Sequence, residues 1–322
     1  MQFGDLLWTV GPRVAKISLF IAIGVFLANL AVAFGAVRKI AALSRPLTQP
    51  ANLPEEVGTA ILTTTASTTA GYGMLAEFRE SGMLDDRATL VAVTINTFFG
   101  FAQHIFTFYA PVLIPILGLR VGLMYVGARA LIALAITIVG ICAGALLLSG
   151  RNVNHAARPD TIETPDAKTQ STREKLTDAA TNTATKLRDI VPRLAIIYTL
   201  VVFLTSRYDV AAATAFADPV VEAVGLPGAA VPVIAVLTLD TTNGALVLAP
   251  LIENGTFTAR AAVATMLIGS IISFAVTTFK RSIPFQYGIW GAEFGSKVIA
   301  VNTGLKLIFI SLAVAILLAP IW

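Results

Sequence analysis

Two stretches of the sequence decide the fold. The first is Thr68-Thr69-Ala70-Gly71-Tyr72-Gly73-Met74-Leu75-Ala76-Glu77-Phe78-Arg79-Glu80-Ser81-Gly82. The second is Thr241-Thr242-Asn243-Gly244-Ala245-Leu246-Val247-Leu248-Ala249-Pro250-Leu251-Ile252-Glu253-Asn254-Gly255, offset by 173 residues. Outward from these stretches the register holds without a gap. Pro46 falls on Pro219, Leu53-Pro54 on Leu226-Pro227, Ile61 on Ile234, and Arg87-Ala88 on Arg260-Ala261. Further on, Phe101-Ala102, Phe106, Pro111, Gly118 and Gly122 coincide with Phe274-Ala275, Phe279, Pro284, Gly291 and Gly295. Shared hydrophobicity does not align prolines, glycines and a glutamate in one register, so the chain is read as an internal duplication.

Composition sets the solvent. Of 322 residues, 56% are hydrophobic and 13% charged, and the mean hydropathy is +0.79. A soluble domain carries about 25% charged residues to solvate its surface. Half that supply excludes a soluble enzyme, a disordered chain and a secreted disulfide scaffold. The single cysteine, Cys142, permits no intramolecular disulfide, and with only His104 and His155 a multi-histidine zinc site is not expected. The net charge of +4 fits lysine and arginine held on the cytoplasmic side of a membrane, and nucleic acid is not an expected partner.

A spanning helix needs roughly 20 mostly apolar residues. The runs at Ile17–Val37, Thr89–Pro111, Leu123–Leu148 and Val298–Pro320 meet that length, and Val191–Thr205 and Ala259–Phe279 add two more. The first run is too long for a signal-peptide core and is kept as a span. The expected fold is therefore an all-α integral membrane protein with about six spanning helices. Residues 1–150 form a first repeat, 151–193 a polar linker and 194–322 a second repeat. The linker holds Arg151, Arg158, Lys168, Arg173, Lys175, Lys186, Arg188 and Arg193, which argues for a cytoplasmic position, and Ser171–Arg188 reads as helical.

Between the spans of each repeat lies a shorter apolar hairpin, with arms at Val57–Thr69 and Met74–Ser81 and at Val231–Leu239 and Ala245–Glu253. A dozen helical residues rise only ~18 Å, too little for a ~30 Å hydrocarbon core, so each hairpin is expected to enter and return on one side. Gly82 and Gly255 suit helix stops, and Asp85 and Thr258 suit caps. Three crossings per repeat is an odd number, so the second copy lies inverted in the membrane, a transporter architecture.

The candidate site follows from the polar residues at this depth. One tip reads Thr63 to Gly73 and includes Ser67, Thr68 and Thr69; the other includes Asp240, Thr241, Thr242 and Asn243. Hydroxyls and freed carbonyls there are oxygen ligands or donors, although threonines also bond back to their own helix. A carboxylate inside a membrane marks an ion pathway by default, which makes Asp240 a candidate ligand for a coupling cation. The competing reading is a helix cap through Thr242 or Asn243. Asn96, Gln103 and His104 lie in the Thr89–Pro111 run and would complete the cavity, with Lys280 and Arg281 as candidate anion contacts. Arg120 and Glu293 occupy equivalent positions with opposite charge and suggest a pair. Pro111 and Pro284 are expected to break helices at matched places.

The paired segments TTAGYGMLAEFRESGMLDDRA and TTNGALVLAPLIENGTFTARA resemble the nucleoside-recognition, or Gate-domain, membrane proteins of prokaryotes. That family is related to the membrane portion of ferrous-iron transporters and to concentrative nucleoside transporters, and includes small spore-maturation proteins. The resemblance implies a transporter in the prokaryotic plasma membrane. The cysteines of the iron transporters' motifs are missing here, and no Gly-x-x-x-x-Gly-Lys-Ser/Thr segment exists, so GTP-driven iron transport is not implied. Sodium-coupled phosphate transporters also carry Ser/Thr-rich inverted hairpins, but their Gln-Ser-Ser-Ser signature is absent. The function expected is alternating-access movement of a small polar or ionic solute, coupled to sodium or protons, without enzymatic chemistry or a resident cofactor. The expected partners are the bilayer, the solute and, in a homo-oligomer, further copies of the chain. A non-transporting scaffold is the rival, against which the buried Asp240 speaks.

Overall fold

The computed structural model describes residues 3–33, 48–149, 171–207 and 225–319. Among these residues the chain is helical and contains no strand. Four helices are long and apolar enough to cross a bilayer. They are α1 (Phe3–Ala33), α4 (Asp86–Leu117), α5 (Leu119–Leu147) and α10 (Ile283–Leu318). Each corresponds to one of the four long apolar runs. Leu131, Ile138 and Leu146 on α5, and Ile308, Leu312 and Ile316 on α10, face outward, as side chains in contact with lipid would.

The remaining helices are shorter or less uniformly apolar. Two pairs, α2 (Glu55–Ala66) with α3 (Thr68–Glu80) and α7 (Ala230–Leu239) with α8 (Thr241–Glu253), form the hairpins. Helix α9 (Ala259–Thr277) leads through a π-helical turn at Thr278–Ser282 into α10. Helix α6 (Thr172–Arg207) joins the polar Ser171–Arg188 stretch and the apolar Val191–Thr205 run into one element. The division expected at residue 193 therefore falls inside a continuous helix. Ser171 and Glu174 start α6 as a capping box, Ser171 N donating to Glu174 Oε2 at 2.7 Å and Glu174 N to Ser171 Oγ at 3.3 Å. The Ser171 backbone amide, then its side chain, hold the Glu174 carboxyl below the usual carboxylate range.

The tips differ from the sequence expectation. The arms at Val57–Thr69 and Met74–Ser81 put the first turn at Ala70–Gly73. The chain instead breaks at Ser67 alone, and Thr68–Glu80 runs helically through both glycines. The second break is at Asp240 alone. Ser67 (φ −147°, ψ 111°) and Asp240 (φ −157°, ψ 129°) are extended residues between helices. From that conformation a serine or aspartate side chain can accept from the first amides of the next helix, an acceptor that a glycine lacks.

Unusual backbone geometry recurs at the 173-residue spacing. Gly82 (φ 78°) and Gly255 (φ 81°) end the return arms in the left-handed region, where a side chain would be strained. Asn52 (φ 53°) and Gly225 (φ 71°) match, as do Gly118 (φ 78°) and Gly291 (φ 75°). The π-helical segments start at Ile105 and Thr278. Pro111 lies inside the first of these and Pro284 just after the second, and neither ends a helix. The wider turn accommodates a residue without an amide hydrogen, and the actual breaks come at Gly118 and Gly291.

Each hairpin packs against a helix of the other half. Tyr72 of α3 meets Phe285 and Trp290 of α10 edge-on, with ring centroids 5.6 and 6.1 Å apart. Helix α8 packs on the C-terminal part of α4 and on α6. Tyr198 Oη of α6 donates to Glu253 Oε2 at 2.6 Å, and Arg13 approaches the same carboxylate at 3.7 Å. The suggested Arg120–Glu293 pair does not form. Glu293 pairs with Lys297 one turn along α10, and Lys297 reaches Asp86, which also holds Arg79 at 2.8 Å.

The two glycines of the first return arm should tolerate substitution very differently. A Cβ on Gly71 would lie 2.7 Å from the Ala60 carbonyl oxygen and 2.7 Å from the Thr64 nitrogen, both backbone atoms, whereas one on Gly73 meets nothing within 4 Å. Gly71→Ala is expected to destabilise the protein by about 1–3 kcal/mol, as overpacked cores do. Gly73→Ala is expected to be neutral or stabilising. Thermal unfolding of the two variants in detergent tests this ordering.

Candidate functional site

Both hairpin tips approach the middle of α4. Thr68 Oγ1, in the first residue of α3, donates to Gln103 Oε1. On the neighbouring turn, His104 Nδ1 lies 2.8 Å from the Gly100 carbonyl oxygen. That contact fixes Nδ1 as the protonated nitrogen of the neutral ring and makes Nε2 an acceptor. Nε2 has no partner among the described residues.

Two cavities meet at His104 and Tyr109. The first, about 280 Å³, is bounded by Thr68 and Tyr72 from α3, Asn96 to His104 from α4, and Arg129 to Ile136 from α5. Phe285, Gln286, Asn302 and Lys306 from α10 close it. The second, about 470 Å³, is bounded by Leu237 to Thr242 around the other tip, by Ser273 and Thr277 of α9, and by Arg281. A larger groove of about 1300 Å³ runs between α1 and the Gly118 turn. Its walls are mostly apolar, and although Arg120, Glu253 and Thr258 line it, it contains none of the candidate binding residues.

The structure thus brings together Thr68, Asn96 and His104 in the first cavity, and His104, Asp240, Thr241, Thr242 and Arg281 in the second. Gln103 is joined to the site through Thr68. Ser67, Thr69 and Asn243 line neither cavity. Ser67 Oγ accepts from Ala70 N at 3.3 Å, and Asn243 Oδ1 is buried without a partner. The Lys280 side chain lies outside the described residues. Asp240 Oδ1 accepts from Asn243 N at 2.9 Å, the cap anticipated as the competing reading. This bond uses one carboxylate oxygen and leaves Oδ2 for another ligand. Arg281 lines the same cavity, and among the described residues no ion pair joins the two.

The threonines of the tips also bond locally. Thr63, Thr64 and Thr238 donate to the carbonyl four residues back, and Thr65 to the one three back. Thr64 goes further and accepts from Asn96 Nδ2 at 2.9 Å, with both residues buried. Next to it, Thr137 Oγ1 donates to the Ile95 carbonyl at 2.9 Å and accepts from Phe98 N at 3.2 Å, tying α5 to the turn at Asn96. In the second half the equivalent positions are Leu237, Gly269 and Ile310, which are apolar. Leu237 packs into the space left by Gly244 and Gly269.

Sequence reading did not select Arg129, Lys306, Asn302 or Gln286 as site residues. A signal was present. Arg129 and Lys306 are ionisable residues inside the apolar runs Leu123–Leu148 and Val298–Pro320. A charge in such a run is functional by default.

The chain is similar over nearly its whole length to three uncharacterized proteins of Methanocaldococcus jannaschii. Two are 25% identical, one over 91% of this chain and 89% of its own length and the other over 96% and 98%. The third is 23% identical over 92% of each. The similarity therefore spans both halves and the stretch between them. No family model and no solved structure matches.

The Thr137 bridge is open to a direct test. Thr137→Val preserves shape but leaves the Ile95 carbonyl and the Phe98 amide without their partner, and should cost about 1–3 kcal/mol. Ile310→Val, at the equivalent apolar position, should cost about 0.5–1.5 kcal/mol, the usual effect of one buried methyl group. Urea unfolding of both variants in detergent gives the comparison.

Proposed function

We propose that the protein is a secondary transporter of the prokaryotic plasma membrane, in which two inverted repeats hold a small polar or ionic solute between re-entrant hairpin tips. One observation carries this reading. The single-residue breaks at Ser67 and Asp240, 173 positions apart, flank two cavities that share His104 and Tyr109. Helix ends at membrane depth present free amides or carbonyls to a solute, and broken helices at a repeat interface are where transporters bind. The resemblance to Gate-domain membrane proteins supports the same reading.

Alternating access follows from the swapped packing. Because each hairpin rests on a helix of the opposite half, movement of one hairpin bundle against the other would open the cavities to one side at a time. Asp240 is the proposed coupling site for sodium or a proton, since Oδ1 caps α8 and Oδ2 remains for the ion. The basic stretch between the halves would lie in the cytoplasm and both termini outside.

Two experiments test this reading. Single cysteines at Thr181 and Asn254, on a Cys142→Ala background, are expected to react with impermeant reagents from opposite sides, Thr181 from the cytoplasm. Labelling of both from the same side would remove the inverted topology. The second experiment is Asp240→Asn in proteoliposomes. Asparagine caps a helix about as well as aspartate, so the fold should persist. Accumulation driven by an ion gradient should collapse while downhill exchange continues. Near-parental accumulation would eliminate Asp240 as the coupling site.

A further inference from the structure

We infer that the first cavity is a binding site for a small oxyanion, held by Arg129 and Lys306. The inference deepens the transport reading and rests on it for the ligand's fate, though not for its binding. Both side chains line a cavity of about 280 Å³ that has no aspartate or glutamate among the described residues of its lining. Among the described residues no salt bridge joins either cation to a carboxylate. The one neutral partner is the Tyr109 hydroxyl, 3.4 Å from Arg129 Nη2. Two unpaired cations facing one cavity at membrane depth repel each other and lose hydration. A bound anion removes both costs, and the planar guanidinium beside a point-charge ammonium is the donor set that carboxylates and phosphates favour.

The position of the pair adds a second line. Shifted by 173 residues, Arg129 falls on Asn302 and Ala133 on Lys306, and all four line this cavity. The cavity therefore lies where equivalent turns of α5 and α10 face each other, at the junction of the two halves. The duplicated scaffold supplies one cation from each half, at non-equivalent positions, so the charge does not follow from the repeat itself.

Buried acceptors narrow the ligand. Asn96 is 1% exposed, and its Oδ1, like that of Asn302, has no hydrogen-bond partner. Trp290 Nε1 donates to Gln286 Oε1 at 2.8 Å, and the Gln286 side chain also bonds Tyr72, so the donors left to a ligand are the two cations. Cations beside unfilled acceptors fit an oxyanion that also carries a hydroxyl or an acidic proton. Monohydrogen phosphate and a short hydroxycarboxylate share this chemistry.

The test uses the full chain in detergent with sodium phosphate, sodium malate and uridine as probes, at constant ionic strength set with sodium chloride. Phosphate or malate should raise the unfolding midpoint in a concentration-dependent manner, and uridine should not. Which anion acts identifies the source of the oxyanion. Arg129→Gln and Lys306→Gln should each weaken that anion's apparent affinity by roughly tenfold to a hundredfold, as loss of a charge-assisted contact does. Lys297→Gln, on the exposed Asp86 pair, should leave the affinity unchanged. A response to neither anion, or one that survives in both cavity variants, overturns the site.

Should these variants fail to fold, the parental cavity can be probed directly. A Cβ at Gly100, which lines the cavity, meets only Thr64 Cγ2 at 3.9 Å. On the Cys142→Ala background, Gly100→Cys should react faster with an anionic thiosulfonate than with a cationic one, and the active anion should protect it. The reverse order of reactivity overturns the site. Uptake of the same anion into proteoliposomes is measured separately. Binding without uptake keeps the site and removes the transport reading, whereas uptake without this binding removes the site.

Discussion

A backbone that stops being helical at membrane depth has no water to satisfy its amides and carbonyls. The hairpins meet that constraint with a break of one residue each. Ser67 N still donates to the Thr63 carbonyl at 2.8 Å, and Ser67 O accepts from Gly71 N at 3.0 Å. Asp240 does the same with Val236 and Gly244, at 3.1 and 3.0 Å. The side chain of the breaking residue then caps the next helix. With the amide and carbonyl of the breaking residue bonded, the two arms can fold sharply against each other, and the small residues Gly71 and Gly244 let them touch. The cavities lie at the tips because that is where helix ends point.

The two halves use this shared frame differently. In the first, Thr64, Asn96 and Thr137 form a buried hydrogen-bonded cluster that joins α2, α4 and α5. The network ties the turn at Asn96 to both neighbouring helices and leaves Asn96 Oδ1 as its one unfilled acceptor among the described residues. In the second half the same places hold Leu237, Gly269 and Ile310, which need only shape. The second tip therefore depends on apolar packing and carries its polarity in Asp240, whereas the first tip is tied to the helix core through Thr68 and Gln103. Matched positions in the two halves are chemically different, and the cavities beside the tips inherit that asymmetry.

Electrostatics divides in a similar way. Charges near the ends of the long helices are paired, as Arg79, Asp86, Lys297 and Glu293 are with one another, and Arg13 with Glu253. Exposed pairs of this kind contribute little stability. Arg129, Lys306, Asp240 and Arg281 face cavities without such partners among the described residues. Their lack of such pairing is the basis for the proposed ion and oxyanion sites.

Hydropathy alone located the four long helices, because the length of an apolar run is a property of consecutive residues. The 173-residue register also anticipated the paired stops at Gly82 and Gly255 and the caps at Asp85 and Thr258, which depend on residues within a turn of each other. The same local logic misplaced the first tip. Gly71 and Gly73 suggest a turn to a reader of the sequence, yet Gly71 is small because α2 passes against it, a contact between helices. Asn96, His104 and the tip residues could be nominated one at a time as polar groups in apolar runs. That Arg129 and Lys306 share a cavity, that Glu293 chooses Lys297 over Arg120, and that each hairpin rests on the opposite half were decided by tertiary structure. These depend on how α4, α5 and α10 are rotated about their axes, and that rotation is set by packing between segments far apart in the chain.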